Sequence, residues 1–236
     1  MLSYKYLSWV TAVFVTCLIT ANIIAVKLID VAGWILPAAV IIFPVSYIVG
    51  DVLTEVYGYA RARQVIWIGF ACNLIAVVAI AIAGALPAAD FWAPNQAAYD
   101  TILGLTPRLL LASFVAYLIG EFLNSYVLAR MKVATGGRYL WTRTIGSTLI
   151  GQFADSAVFI TLGLLQIAAL PAAVQGALPT EALPGAIAVQ WLFKSVYEIV
   201  ATPLTYAVVD RLKRAEGVDA FDRETDFNPF RLRTDG

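Results

Sequence analysis

Residues 64–86 read QVIWIGFACNLIAVVAIAIAGAL, and none of these 23 residues is charged. An α-helix needs about 20 mostly apolar residues to cross the hydrocarbon core of a bilayer. Five other segments have the same character, so the predicted transmembrane helices are residues 6–29, 34–56, 64–86, 108–130, 143–169 and 186–209. The sequence therefore predicts an all-α fold, a polytopic membrane protein with six transmembrane helices.

The composition of the chain agrees with this prediction. The 236 residues are 61% apolar and 14% charged, whereas soluble domains are about 45–50% apolar and about 25% charged. Basic and acidic residues number 16 each, and this balance gives no indication of nucleic-acid binding. Because charges concentrate near the end of the chain, we predict a membrane domain at residues 1–210 and a charged, partly disordered cytoplasmic tail at residues 211–236.

The basic residues between the predicted helices indicate the orientation in the membrane, because cytoplasmic loops carry an excess of Lys and Arg. One set of connections and ends holds ten of them: Lys5, Arg61, Arg63, Arg130, Lys132, Arg138, Arg143, Arg211, Lys213 and Arg214. The opposite set, around 30–33, 87–107 and 170–185, holds none. We therefore predict a multi-pass protein of the cytoplasmic membrane with both termini cytoplasmic.

Several enzyme classes are excluded by residue types that the chain lacks. It contains no histidine, so it has no Ser-His or Cys-His catalytic pair and no HExxH zinc motif. Its two cysteines, Cys17 and Cys72, lie within apolar runs and form no CxxC motif. The sequence predicts a protein that is not an enzyme and that holds no cofactor and no metal.

Polar residues inside the predicted helices are the candidate functional residues, since an ionisable group at mid-membrane costs roughly 2.5–3.5 kcal/mol. Six ionisable residues and three amides lie at such depth: Lys27, Asp51, Glu121, Asp155, Lys194 and Glu198, with Asn22, Asn124 and Gln152. Lipid does not solvate these side chains, so we expect them to face one another or a water-filled cavity. Two other interpretations stay open: Lys194 and Glu198 have the i,i+4 spacing of an ion pair, and Asn22 and Asn124 suit interhelical hydrogen bonds.

The deep charges do not balance, because four carboxyl groups face two lysines. Burial favours the neutral form of a carboxyl group. We therefore expect at least one of Glu121, Asp155 and Glu198 to be protonated at rest, where it acts as a hydrogen-bond donor or as a proton carrier.

The second predicted helix is interrupted by Pro37, Pro44 and Gly50. Proline removes a backbone donor and frees a carbonyl group one turn earlier. Broken helices supply such backbone groups to substrates in many transporters. The pattern predicts an irregular second segment, with a plain kink as the alternative.

Three ordered motifs carry a resemblance to a known family. They are GDVLTEVYG at residues 50–58 after Phe43-Pro44, GEFLNS at residues 120–125, and RTIGSTLIGQFADS at residues 143–156. The chain resembles the queuosine precursor transporters, also called the vitamin uptake transporter family, from about Asn22 to Pro203. The tail after about Arg214 lies outside the resemblance.

The resemblance implies an inner-membrane importer of 7-cyano- and/or 7-aminomethyl-7-deazaguanine for tRNA modification, working by alternating access. The family's polar positions correspond to Asn22, Asp51, Gln152, Asp155 and Lys194, while Glu121 and Asn124 differ in some members. A carboxylate suits the donor edge of a guanine-like base, and an amide or lysine suits its O6 atom. The hypothesised ligand on the donor edge is Asp155 or Glu121, and the ligands at O6 and N7 are Gln152, Asn22 or Lys194. Phe43 or Tyr47 is expected to stack on the ring. The predicted substrate-binding set also includes Asp51, Asn124 and Glu198.

Other functions are less well matched by the motifs. A substrate-binding subunit of an ATP-driven vitamin importer has about six helices, and this chain has no Walker motif of its own. An intramembrane aspartyl protease needs two neighbouring aspartates, and such enzymes typically show GxGD where this chain reads Ile48-Val49-Gly50-Asp51. A structural or channel protein is disfavoured by the deep acids. The expected partners are a small deazapurine and the lipid bilayer, and the oligomeric state is undetermined but compatible with a homodimer.

Overall fold

The computed structural model describes residues 4–25, 27–31, 34–103, 107–164 and 179–230. Seven α-helices occur in this part of the chain: α1 Leu7–Ile24, α2 Phe43–Tyr57, α3 Tyr59–Ala85, α4 Gln96–Leu103, α5 Pro107–Ala134, α6 Leu140–Phe159 and α7 Leu183–Glu216. A short antiparallel hairpin, β1 Leu28–Val31 and β2 Trp34–Pro37, lies between α1 and α2. Short 3-10 turns occupy Ala38–Ile41, Ala93–Asn95 and Thr180–Ala182, and a π-helical turn, Ile160–Leu164, follows α6.

Four helical segments are long and apolar enough to cross a membrane: Leu7–Ile24, Tyr59–Ala85, Leu111–Ala134 and Leu140–Gly163. The second of them contains most of the uncharged stretch at residues 64–86, and an 18-residue window within it has a mean hydropathy of 2.6. The prediction of a helical protein with membrane-spanning segments is confirmed by the length and apolar composition of these helices. The count of six transmembrane helices and the side of the membrane on which the termini lie stay predictions.

The second predicted transmembrane helix is the segment in which the structure differs most from the sequence analysis. Residues 34–37 are not helical but form β2, whose last residue, Pro37, pairs with Leu28. Helix α2 begins only at Phe43, with Pro44 in its first turn, where a missing N–H and a fixed φ suit a helix start. The predicted irregularity is confirmed, and residues 34–42 of the predicted transmembrane helix 34–56 are not α-helical. Lys27 lies outside α1 with an exposed side chain and is not among the buried polar residues, and its depth in the membrane stays a prediction.

Helix α2 lies at the centre of the bundle and packs against α1, α3, α5 and α7. Every residue from 50 to 59 is buried. Its apolar side chains Val52, Leu53 and Val56 join a core with Phe14 and Leu18 of α1. The polar groups of α2 therefore face other helices.

Helices α5 and α6 approach each other closely at two glycines. A Cβ atom on Gly151 would lie 2.7 Å from the Asn124 Cβ and 2.9 Å from the Gly120 carbonyl oxygen, and a Cβ atom on Gly120 would lie 2.7 Å from the Asp155 Cβ. Small residues allow helix backbones to meet in this way within membranes. The approach brings Asn124 and Asp155, from different helices, into one region.

The C-terminal tail packs on the helix bundle. Helix α7 ends at Glu216 and is followed by Gly217 with φ +67°, a conformation that glycine adopts readily. The Asp222 carboxylate accepts hydrogen bonds of 3.0 and 3.1 Å from the backbone N–H of Tyr59 at the start of α3, where a carboxylate also complements the helix dipole. The Trp67 indole donates to the Pro229 carbonyl at 2.7 Å.

The expectation of a partly disordered tail is thus corrected for residues 217–230, because the tail forms specific hydrogen bonds with α3. Residues 231–236 lie outside the described residues. The division of the chain at residue 210 stays a prediction, although α7 runs through that position.

The two ends of the described chain lie at the same end of the bundle. The backbone N–H groups of Lys5 and Tyr6 donate to the Glu216 carboxylate at 2.8 and 2.7 Å. We call this the tail end, and we call the opposite end, where β1 and β2 lie, the hairpin end. An even number of crossings accounts for this arrangement.

Candidate functional site

A cavity of about 440 Å³ lies at the hairpin end, among α1, the start of α2, α6 and the first half of α7. Its volume falls within the range of about 300–1,000 Å³ that small-molecule sites occupy. The walls are mostly apolar, and the polar side chains that reach the cavity are Asn22, Ser113, Asp155, Gln190 and Lys194. Phe43, Phe159 and Phe193 supply aromatic surface. The cavity has the composition expected of a site for a flat, partly polar molecule.

An ion pair between Asp155 of α6 and Lys194 of α7 borders this cavity. The Lys194 ammonium also lies 4.3 Å from the centroid of the Phe43 ring, in the geometry of a cation–π contact. Lys194 therefore binds Asp155 across two helices, and the alternative of an intrahelical pair between Lys194 and Glu198 is wrong.

Asn22 and Asn124 each form a hydrogen bond between helices. The Ser113 hydroxyl donates to the Asn22 side-chain oxygen at 3.2 Å, joining α5 to α1. The Asn124 amide donates to the Asp51 carboxylate at 2.7 Å, joining α5 to α2. The interpretation of these amides as interhelical contacts is confirmed, and Asn22 lines the cavity as well.

Glu198 is buried and accepts two hydrogen bonds from α6. The Thr148 hydroxyl donates at 2.6 Å and the Gln152 amide donates at 3.3 Å. The Gln152 side-chain oxygen has no partner in the described structure. Glu198 and Gln152 thus form a pair that lies deeper than the Asp155–Lys194 pair. Each of the two residues is one helical turn nearer the tail end than the ion-pair residue on its own helix.

Glu121 differs from the other buried acids. It is 0% exposed, and neither carboxyl oxygen has a hydrogen-bond partner among the described residues. The carboxyl group packs against Gly50 of α2, where a Cβ atom would lie 1.9 Å from Glu121 Oε1. A side chain at position 50 would therefore displace the Glu121 carboxyl group.

We predict that Gly50→Ala lowers the free energy of unfolding by about 1–3 kcal/mol, because the buried Glu121 carboxyl group has to move within a closely packed bundle. Thermal unfolding of the purified protein in detergent measures the effect. Gly185→Ala is the matched control, since a Cβ atom there meets nothing within 4 Å, and its unfolding temperature should equal or exceed that of the wild type. Equal stability of Gly50→Ala and the wild type would contradict the close contact.

The ten predicted site residues form two layers. Four of them line the cavity: Asn22, Phe43, Asp155 and Lys194. The other six lie deeper and are buried: Tyr47, Asp51, Glu121, Asn124, Gln152 and Glu198. The rings of Phe43 and Tyr47, with centroids 5.5 Å apart, connect the layers. The structure brings all ten together, and their roles in binding stay predictions.

A second polar cluster, which was not predicted from the sequence, lies at the tail end. Its centre is the buried Glu55 of α2, whose carboxylate accepts hydrogen bonds from Arg143 at 2.7 and 2.8 Å and from Lys213 at 2.6 Å. The Lys132 ammonium lies 3.3 Å from the same carboxylate. We call Glu55, Lys132, Arg143, Lys213 and Asp219 the Glu55 cluster.

Asp219 of the tail joins this cluster by accepting hydrogen bonds from Lys132 and Lys213. Partial burial opposes its ionisation, but these two hydrogen bonds outweigh the burial and hold the pKa of Asp219 below its ordinary value. In the sequence, Lys132, Arg143 and Lys213 indicated only the orientation in the membrane. The signal in the sequence was Glu55 itself, an acid at the edge of an apolar segment near several basic residues.

Comparison with known proteins identifies the family. Residues 37–208, nearly three quarters of the chain, match the family model described as "Putative vitamin uptake transporter". The chain belongs to this family. The matched range contains every residue of the two layers except Asn22, and it includes Glu55, Lys132 and Arg143.

Two relatives of this vitamin uptake transporter family member carry names that state a substrate. A Bacillus subtilis protein named "Probable queuosine precursor transporter" is 28% identical over 193 residues, which cover 80% of this chain and 78% of the relative. The Escherichia coli "Queuosine precursor transporter" is 24% identical over 156 residues, 66% of this chain and 67% of the relative. No solved structure matches the chain. The predicted family is confirmed, and a transporter family supports the interpretation that the protein is not an enzyme.

Proposed function

We propose that this protein imports a queuosine precursor, 7-cyano- and/or 7-aminomethyl-7-deazaguanine, through the inner membrane for salvage into tRNA. Family membership and the names of the two relatives support a transporter of such precursors. The observation that carries the proposal within this chain is the aromatic cavity bordered by the Asp155–Lys194 pair.

The chemistry of this cavity suits a deazaguanine base. The N1–H and the exocyclic amine of guanine are adjacent donors, and the two oxygens of Asp155 match them. The Lys194 ammonium is a donor for O6, and it already lies beside the Phe43 ring, which offers a face for stacking. A bound base would therefore contact both partners of the ion pair, with Asp155 at its N1–H and amine donors and Lys194 at its O6 atom.

The closed tail end supports transport by alternating access. The Glu55 cluster joins α2, α5, α6 and α7 with the tail, whereas the cavity lies at the hairpin end. Transporters of this kind expose a central site to one side at a time. We propose that the tail end is cytoplasmic, that six helices span the membrane, and that the structure corresponds to an outward-facing state in which the Glu55 cluster closes the cytoplasmic side.

Uptake of labelled 7-cyano-7-deazaguanine tests the proposed function. Cells that lack both their own synthesis and their own salvage of this base are compared with and without the protein. We expect uptake that saturates and that is competed by unlabelled 7-aminomethyl-7-deazaguanine. Equal uptake by both cell lines would refute the proposal.

The purified chain in proteoliposomes separates a complete transporter from a subunit of an ATP-driven importer. We expect the chain alone to exchange internal unlabelled base for external labelled base. Exchange that requires an added ATPase partner would support the subunit instead.

A further inference from the structure

The deep layer holds more acid than base. Among the ten predicted site residues of the two layers, the carboxyl groups are Asp51, Glu121, Asp155 and Glu198, and the cation is Lys194. Lys194 is already paired with Asp155. Three buried carboxyl groups are therefore left without a cationic partner in the described structure.

Hydrogen bonds distinguish these three groups. Asp51 accepts a hydrogen bond from Asn124, and Glu198 accepts hydrogen bonds from Thr148 and Gln152. Glu121 accepts none from the described residues, at either oxygen. An ionised carboxylate buried without hydrogen bonds or a counter-charge is far less stable than the neutral acid.

We propose that Glu121 is the proton-binding residue that couples import of the substrate to entry of a proton. This inference rests on the proposed function, because it assigns the energy source of that transport. The carboxyl group of Glu121 takes up one proton as the site faces outward and releases it to water on the cytoplasmic side. The step moves a proton and changes no other bond.

The titratable groups that interact electrostatically with Glu121 lie on α2, α5, α6 and α7. Helix α2 contributes Tyr47 and Asp51, α5 itself contributes Tyr117, α6 contributes Asp155, and α7 contributes Glu198. Lys194 neutralises Asp155. The remaining acids surround Glu121 with like charge whenever they are ionised, which favours its neutral form while the helices are packed.

Tyr47 is a buried polar residue beside the segment of α5 that carries Glu121. A Cβ atom on Gly120 would lie 2.7 Å from both the Tyr47 hydroxyl oxygen and the Asp155 Cβ. Asp155 lines the cavity, and the buried Tyr47 hydroxyl has no partner in the described structure. This hydroxyl therefore lies against Gly120, the residue before Glu121, and in the described structure it forms no hydrogen bond with either acid.

Proteoliposomes containing the purified protein test the inference with labelled 7-cyano-7-deazaguanine. With acid outside, the wild type should accumulate the base above equilibrium, and a protonophore should abolish the accumulation. Glu121→Gln mimics the protonated acid permanently. The ratio of its gradient-driven accumulation to its gradient-free exchange should therefore fall at least tenfold relative to the wild type, whatever the rate of exchange.

Two further variants separate coupling from structure. Glu121→Asp keeps a titratable group, so it should accumulate the base in response to the pH gradient with a shifted pH midpoint. Glu198→Gln removes a buried acid that has hydrogen-bond partners, and its ratio of accumulation to exchange should stay at the wild-type value even if both rates fall. If Glu121→Gln does not fold, an unshifted pH profile of Glu121→Asp overturns the inference.

Further outcomes separate a failure of proton coupling from a failure of the proposed function. Accumulation by Glu121→Gln equal to that of the wild type overturns the inference, as does wild-type accumulation driven by a sodium gradient and indifferent to pH. Exchange by the wild type with no response to a pH gradient also overturns the coupling but leaves the proposed function intact. Absence of both uptake and exchange in the wild type refutes the proposed function itself.

Discussion

Replacing Asp155 with alanine is expected to abolish saturable uptake of 7-cyano-7-deazaguanine, with a loss of at least about 100-fold in kcat/KM. The reason is that the carboxylate both holds Lys194 and offers two acceptor oxygens at the cavity. Hydrogen bonds to charged groups contribute about 1.5–3 kcal/mol each, and an unpaired cation left at the site adds to the loss. Uptake by cells with equal amounts of wild-type and variant protein in the membrane measures the effect.

Two control variants show whether the loss concerns binding. Asp210→Ala removes an exposed acid that pairs with Arg214, one turn further along α7. Because exposed ion pairs contribute little to stability, uptake should stay within about twofold of the wild type. The double variant Asp155→Ala/Lys194→Ala removes both partners and should regain much of any lost stability without regaining uptake. Wild-type uptake by Asp155→Ala would contradict the assignment of the site.

Replacing Glu55 with alanine is expected to lower the free energy of unfolding by about 3–5 kcal/mol. Glu55 is 0% exposed and is the acid that Arg143, Lys132 and Lys213 share. Its removal leaves these cations with Asp219, which is half exposed and binds only the two lysines. Thermal and denaturant unfolding in detergent measure the change.

The matched control for Glu55 is Glu224→Ala, which removes an exposed acid of the tail and should change the free energy of unfolding by less than about 0.5 kcal/mol. If the Glu55 cluster closes the cytoplasmic side, Glu55→Ala should also make cysteines introduced near Thr148 more reactive toward a hydrophilic thiol reagent added from that side. Unchanged stability and unchanged reactivity together would contradict a structural role for the cluster.

The regular helices were predictable because their signal is local. The uncharged stretch at residues 64–86 lies almost wholly within α3, since apolar residues in a bilayer must satisfy their backbone groups within the helix. The start of α2 was not predictable from hydropathy alone. Residues 34–37 are as apolar as a helix, but in the structure they pair with β1 and not with their own neighbours.

The clustering of the deep polar residues was predictable from the sequence, and their pairings were not. Deep polar residues are conspicuous in an apolar chain, and they converge because lipid does not solvate them. The i,i+4 spacing suggested that Lys194 binds Glu198, yet Lys194 binds Asp155 and Glu198 binds Thr148 and Gln152. The spacing of residues within one helix carries no information on the acceptors that a neighbouring helix supplies.

The amino-acid sequence alone establishes an apolar helical protein without histidine, its family motifs and the set of polar residues inside the bundle. Each of these follows from residue types and their local order. Tertiary packing decides which acid holds Lys194, leaves Glu121 without a partner against Gly50, and gathers Glu55 with three cations and the tail. These contacts join residues far apart in the chain, so their energies depend on the distances and burial that only the folded bundle creates.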